Sequence, residues 1–372
     1  MVTCDVLTTR ADLQRLEADW NRLADKAGDP LLRHDWFTAA AAVFARDGDL
    51  RVVTAHDESG LRAAVPLVRD RTGPVARLRL LGFQVMEPQD LLSDDRAALE
   101  AACRRALGLG LTISLPRLAA ESEALDVLTS VARGRTVLVL RPSTTRTHAN
   151  LIQSDWAAFE KAMPPRQASE IRRRRKRLAE AHGELMFEAL SPEESQVEAA
   201  LADLLRVEAA SWKAREGTAL LHDRTMGRFI ADYARLAARA GILRLFNLRV
   251  AGEVVASQMM VEHGGRLWGI KLGADERFHK FGPGVMVTHD IMRWASERGL
   301  ESFEHLGVAE DFQKRWPLLV REQSTVHVYP RNPGGAAALT ADVLDFARRR
   351  LKSRLEAARA RPADRTAPAA GA

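Results

Sequence analysis

The chain has 372 residues, 46% hydrophobic and 28% charged, a globular composition on a length that fits two domains better than one. No apolar run reaches the roughly 18 residues of a membrane span, and the opening MVTCDVLTTRADLQ lacks the apolar core of a secretory signal. Cys4 and Cys103 stand alone without metal-ligand spacing, so a reduced cytoplasm, no structural disulfide and no bound metal are expected. The net charge of +6 is concentrated in two blocks: the unbroken run Arg172 to Arg177, and the stretch 348–365 with eight basic residues. Such blocks point to anionic partners such as phosphates or a lipid surface, and their lack of interleaved aromatics argues against specific nucleic-acid binding.

In chain order, Leu13, Leu16, Trp20 and Leu23 recur at three and four and predict a helix, followed by a second from Trp36 to Phe44. LRVVTAHDESGLRAAVPLVRD reads as a hairpin turning at Glu58-Ser59-Gly60. A similar hairpin, LRLFNLRVAGEVVASQMMVEH, lies in the second half, and aligning Gly60 with Gly252 brings Ala64 onto Ala256, which suggests a duplication. Between the halves, Pro164-Pro165 break the chain and Ser169 caps a helix that carries the basic run to Gly183. Helices over 201–212 and 229–238, strands from Leu243, and a last strand STVHVYP complete the second half. Asn332-Pro333-Gly334-Gly335 reads as a linker into a helical tail. The division is thus 1–150, a linking helix 151–183, a second domain 184–331 and a tail 332–372, in an α+β fold of two similar halves.

The segment KLGADERFHKFGPGVMVTHDIMRWASERGL leaves a strand, turns through Gly282-Pro283-Gly284 and enters an amphipathic helix. Glycine makes the turn and proline starts the helix at low cost. The same arrangement exposes several amides and the positive end of a helix dipole, which suits a phosphate.

Three stretches resemble one family. VEAASWKAREG, ADERFHKFGPGVM and EHLGVAEDFQKRW together are similar to the CelD/BcsL family of GNAT (acyl-CoA N-acyltransferase) proteins and their FemAB-like relatives with tandem GNAT domains, over roughly residues 10–330. Where that family has Asp, Tyr and Lys in the last block, this chain has Glu304, Phe312 and Gln313. The resemblance implies a degenerate first GNAT domain, a catalytic second one, and acyl-CoA as donor, acetyl-CoA first. His279, Lys280, Phe281, Gly282, Pro283, Gly284 and Val285 would hold its pyrophosphate.

Attack of an amine on a thioester needs a proton acceptor. Glu304 is the first candidate and Asp275 the second; strand alternation lets only one of Glu304 and His305 face the cleft. Trp212, Lys213, Lys271, Trp316, Arg172 and Arg175 are candidates for the acceptor substrate. The family points to an amine-bearing sugar of an exopolysaccharide or envelope precursor. A sphingoid or other lipid amine with a longer acyl-CoA is the alternative, aminoacyl-tRNA chemistry a weaker one, and a catalytically decayed binding protein a reading of another class. Arg350 and Arg354, one helical turn apart, could grip a regulatory phosphate ligand such as cyclic di-GMP. The basic blocks would also permit peripheral contact with the inner membrane.

Overall fold

The structure is a computed structural model that describes residues 1–46, 48–88, 90–153, 155–211 and 223–359, with side chains to 354. Its strands, among the described residues, are β1 (Thr3–Leu7), β2 (Leu50–Asp57), β3 (Gly60–Asp70), β4 (Arg77–Leu80), β5 (Leu92–Ser93), β6 (Thr112–Ala119), β7 (Thr136–Pro142), β8 (Thr147–Leu151), β9 (Leu185–Leu190), β10 (Leu243–Val250), β11 (Glu253–His263), β12 (Arg266–Ala274), β13 (Ser302–Glu304), β14 (Leu318–Arg321) and β15 (Gln323–Pro330).

They form two sheets with one plan. The first runs β1-β2-β3-β4-β6-β15-β7, with β5 against β3, and the second runs β9-β10-β11-β12-β13-β8-β14. In each, four antiparallel strands meet a parallel neighbour (β4 with β6, β12 with β13), and a helix crosses between the parallel pair, Arg96–Leu107 in one and Pro283–Glu297 in the other. The hairpin turns at Gly60 and Gly252 both place glycine at positive φ, +104° and +85°, which a residue with a Cβ adopts only at a cost. The α+β plan of two similar halves read from the sequence is the observed one.

The strand beyond each parallel pair comes from the other half. β8 lies in the second sheet, while β15 sits between β6 and β7 in the first. The sheets therefore do not follow the chain divisions at 150 and 331: each half supplies a strand to the other's sheet. A shared core reinforces this. Trp36 from the helix His34–Phe44 sets its ring edge-on to Phe229 and Tyr233 at 5.0 and 5.1 Å, and all three are fully buried. A large apolar interface of this kind holds the two halves as one body.

Two local expectations change. The basic helix, Gln167–His182, begins after Arg166 in the left-handed region, and Ser169 lies inside its first turn, its hydroxyl donating to the Arg166 carbonyl at 2.9 Å. Residues 332–335 are no linker: the last helix runs Pro333–Arg359. Asn332 caps it, its Oδ1 accepting from Gly335 N–H at 2.7 Å while its Nδ2 donates to the Gly110 carbonyl at 2.9 Å. Gly335 approaches Pro330 so closely that an added Cβ would lie 2.0 Å from its carbonyl oxygen. Ala338 is buried, and Asp342 accepts two 2.7 Å bonds from Arg77 and one from Tyr329 Oη at 2.6 Å. The first turns of the tail pack one face against the body, and unbroken exposure begins at Val343.

Candidate active site

The parallel pair β12–β13 is short. Three residues pair, Arg266 with Ser302 through Trp268 with Glu304. There β13 ends, while β12 continues to Ala274. Gly269 permits the last close approach: a Cβ there would lie 3.4 and 3.5 Å from the Glu304 and His305 carbonyl oxygens. Past it, the register with β11 steps from Met260↔Gly269 to Met259↔Lys271, leaving Ile270 as a bulge. A bulge increases local twist and ends pairing, so residues 270–274 present an open strand edge.

Two adjoining clefts occupy this notch, of about 290 and 390 Å³, sharing Leu272, Ala274, Glu310 and Phe312 as a common wall. The outer one ends on the loop. Gly282 is left-handed (φ +71°) and caps the helix, with Pro283 at its first position. His279, Gly282, Pro283, Gly284 and Val285 line it, whereas Phe281 is buried in the core and Lys280 lies over the Phe281 ring at 4.9 Å. Fewer amides are available than the motif suggested. Val285 and Met286 N–H both donate to the Gly282 carbonyl (3.1 and 3.2 Å), and Gly282 N–H donates to His279. Pro283 has no N–H, so Gly284 carries the first-turn amide without an intrahelical acceptor.

A cation supplements it. The Arg174 guanidinium lies 3.1 Å from where a Gly282 Cβ would be, its Nε donating to Glu170 at 2.6 Å. The two arginines chosen from the sequence are tied elsewhere: Arg172 to Glu160 at 3.3 Å, and Arg175 to Asp290 on the loop helix. Ile171 and Leu178 are the buried residues of the basic helix, and Arg174 and Arg175 share their face at i+3 and i+4; the spacing narrows the run to these two, and contact with the loop distinguishes Arg174.

Both proposed bases are placed otherwise than expected. Glu304 lines neither cleft; it is buried, accepting from Ser302 Oγ at 2.9 Å and from Arg321 at 2.7 and 3.2 Å. Alternation does divide the pair, but it is His305 that faces the inner cleft. Asp275 lines the outer cleft as a cap: it accepts from Arg277 N–H at 2.9 Å and from the Arg277 guanidinium at 2.7–3.1 Å. Burial raises its pKa, but the bonds from Arg277 outweigh this and leave the carboxyl below its ordinary range. Trp316 is not a stacking platform: it is buried, its indole N–H donating to His289 Nδ1 at 3.3 Å. Lys271 does line the inner cleft, ion-paired at 2.9 Å with the fully buried Glu208. Trp212 and Lys213 fall outside the described residues. Arg350 and Arg354 line neither cleft and are exposed on the last helix.

The inner cleft contains a carboxylate that sequence reading missed. Glu87, from the first half, accepts from the Gly307 N–H at 2.5 Å, while buried Arg117, also from the first half, donates to the Gly307 carbonyl. Burial raises the Glu87 carboxyl to about 7, against the lowering effect of the Gly307 bond and the charges of Arg117 and Lys271. The backbone around this clamp is strained. Of five non-glycine residues at positive φ among the described residues, Met86, Arg117 and Leu306 are all here, and such residues concentrate at functional sites.

His305 has a defined tautomer. Asn150 Nδ2 donates to the Gln313 and Pro317 carbonyls (3.3 and 2.8 Å), so its Oδ1 must accept from His305 Nε2–H at 2.5 Å. The lone pair is then on Nδ1. Burial holds this imidazole down to about 3; it stays neutral and is a weak base.

Residues 165–314 match the family model of the acetyltransferase (GNAT) domain. No curated protein sequence matches the chain. Among solved structures, FemX is similar with a TM-score of 0.59 at 12% identity, over 87% of this chain and 96% of that one. A domain named as the C-terminal part of a lysylphosphatidylglycerol synthetase from Agrobacterium fabrum gives 0.54 at 16% identity, over 90% and 96%. A conserved protein of unknown function from Bacteroides thetaiotaomicron gives 0.54 at 12%, over 88% and 99%. At these identities the likeness is one of fold. The family match begins at the basic helix and ends just after the inner cleft's last lining residue, Gln313. Residues 165–314 are thus similar to a GNAT acetyltransferase domain, and that match supports N-acyltransferase chemistry for this part of the chain.

Proposed function

We propose that the chain transfers an acyl group, acetyl first, from acyl-CoA to the amine of a hydroxyl-rich acceptor such as an amino sugar of an exopolysaccharide or envelope precursor. The observation that carries this reading is the splay of β12 from β13, with a glycine-flanked helix N-terminus at one end of the opening and a carboxylate at the other. The donor's pyrophosphate meets Gly284 N–H, the helix dipole and Arg174. Its pantetheine takes the strand edge that β13 leaves open on β12, which directs the thioester toward the inner cleft.

There the amine nitrogen attacks the thioester carbon, the C–N bond forms, and the C–S bond breaks to release CoA thiolate. The amine's proton passes to Glu87. Efficient acid–base groups have a pKa near the working pH; Glu87 at about 7 meets this and His305 at about 3 does not. His305 Nδ1 instead orients the acceptor as a hydrogen-bond acceptor. Glu310, Gln313, Gln258 and Lys271 around it favour a polar acceptor over an apolar lipid tail. The resemblance to the CelD/BcsL family supports the same choice. CoA release from acetyl-CoA, followed with a thiol reagent across amino sugars and sphingoid amines, tests it. Turnover with the sugars is expected, and turnover with the sphingoid amines alone would replace the acceptor class.

A further inference from the structure

Beyond Asp342 the C-terminal helix leaves the body of the protein. Residues 343–359 continue it for 17 residues, about 25 Å at 1.5 Å per residue. Val343, Leu344, Phe346 and Leu351 are 53–60% exposed on it. Val343, Leu344, Ala347 and Leu351 follow one another at spacings that keep them on one side of a helix. Arg350 borders that stripe on one edge and Arg348 and Lys352 on the other, while Arg354 continues its line one turn beyond Leu351. Between Phe346 and Arg354 there is no acidic residue. Arg349 pairs with Asp345, but Arg348, Arg350 and Arg354 have no carboxylate partner among the described side chains.

We propose that this projecting segment lies on an anionic lipid surface, with the apolar stripe in the headgroup–acyl boundary and the flanking cations on lipid phosphates. An apolar stripe bordered by long basic side chains is the form of an interfacial helix: the stems bury beside the stripe while the charged ends reach the headgroups. A second copy of the chain could cover the stripe, but it would bring a second set of like charges against the first. An anionic surface supplies the missing counter-charge. A nucleic acid would satisfy the arginines and leave the stripe wet. The arrangement would hold the clefts beside a membrane without a spanning segment; no helix among the described residues is long and apolar enough to span one.

The test is sedimentation of the full chain with phosphatidylglycerol–phosphatidylcholine vesicles, beside pure phosphatidylcholine vesicles. Binding to the anionic vesicles alone is expected, fading as salt is raised to about 0.5 M. Arg350→Gln with Arg354→Gln should weaken it about thirtyfold, at about 1 kcal/mol per cation near the surface. Leu344→Gln with Leu351→Gln should weaken it at least roughly tenfold, as two partly inserted leucines are lost. These positions are exposed, and unchanged circular dichroism melts would show the fold intact. No binding, equal binding to neutral vesicles, or binding that neither double variant alters would overturn the proposal. So would a dimer in analytical ultracentrifugation that the leucine variant disperses, which would assign the stripe to a second copy.

Discussion

Glu87 and Glu304 separate chemistry from architecture within one junction. Glu87→Gln keeps the shape of the side chain and removes its basicity, so turnover should fall about 10²–10⁴-fold with acetyl-CoA affinity unchanged. The wild-type kcat should lose activity as pH falls through about 7, and that limb should vanish in the variant. Stability gives an independent sign. The folded carboxyl is raised from 4.5 to about 7, so between those values the native state holds more protons than the unfolded one. Stability then declines as pH rises through that window. Glu87→Gln should therefore melt higher than wild type at pH 8, with little difference near pH 4; the same melting curve at pH 8 would mean that Glu87 carries no burial penalty. Glu304→Ala should do the reverse: it strands Arg321 and the Ser302 hydroxyl, costing roughly 1–3 kcal/mol of stability, with kcat per folded molecule near that of wild type. A large kcat loss at normal stability would restore Glu304 as the base. Neither outcome was legible in the sequence. Alternation states that Glu304 and His305 part company, but only the sheet says which faces the cleft, and Glu87 is brought there by packing of a distant loop.

At the scale of elements, the strand–loop–helix unit was the most legible part, because turn chemistry is local. Glycine at 282 needs its left-handed φ, and proline at 283 fits the first helical position. What the local pattern overstated was the number of amides, since two of them close the helix's own first turn. Gly284 can be graded. A Cβ there would make ordinary contact with Ala274 and Leu272 at 3.5 and 3.8 Å, so Gly284→Ala should bind CoA nearly as wild type, while Gly284→Trp should fill the outer cleft. In the basic helix, composition identified the charge, helical phase narrows it to Arg174 and Arg175, and packing against the Gly282 loop identifies Arg174. Arg174→Gln should raise the KM for acyl-CoA several-fold, more at low salt than at high, and Arg172→Gln should not. Equal effects from both in steady-state kinetics would reduce the helix to a diffuse positive field.

For the whole molecule, the duplication was visible in the paired hairpins, whereas the exchange of β8 and β15 was not, because partner choice within a sheet is a non-local matter of register. The first half also lines the candidate site, where Glu87 and Arg117 clamp Gly307 from across the junction. It also places a structural boundary inside the tail. Truncation after Asp342 should leave the melting temperature near that of wild type, whereas truncation after Gly335 removes Ala338 and the partner of Arg77 and should lower it by several degrees. Both clefts of the notch lie on the second sheet, so the chain should hold one donor, not two. Titration of acetyl-CoA or CoA into wild type and Gly284→Trp by calorimetry tests this most directly. One molecule bound per chain by wild type, and none by the folded variant, is the predicted result; two per chain, or undiminished affinity in Gly284→Trp, would contradict the placement of the donor between β12 and β13.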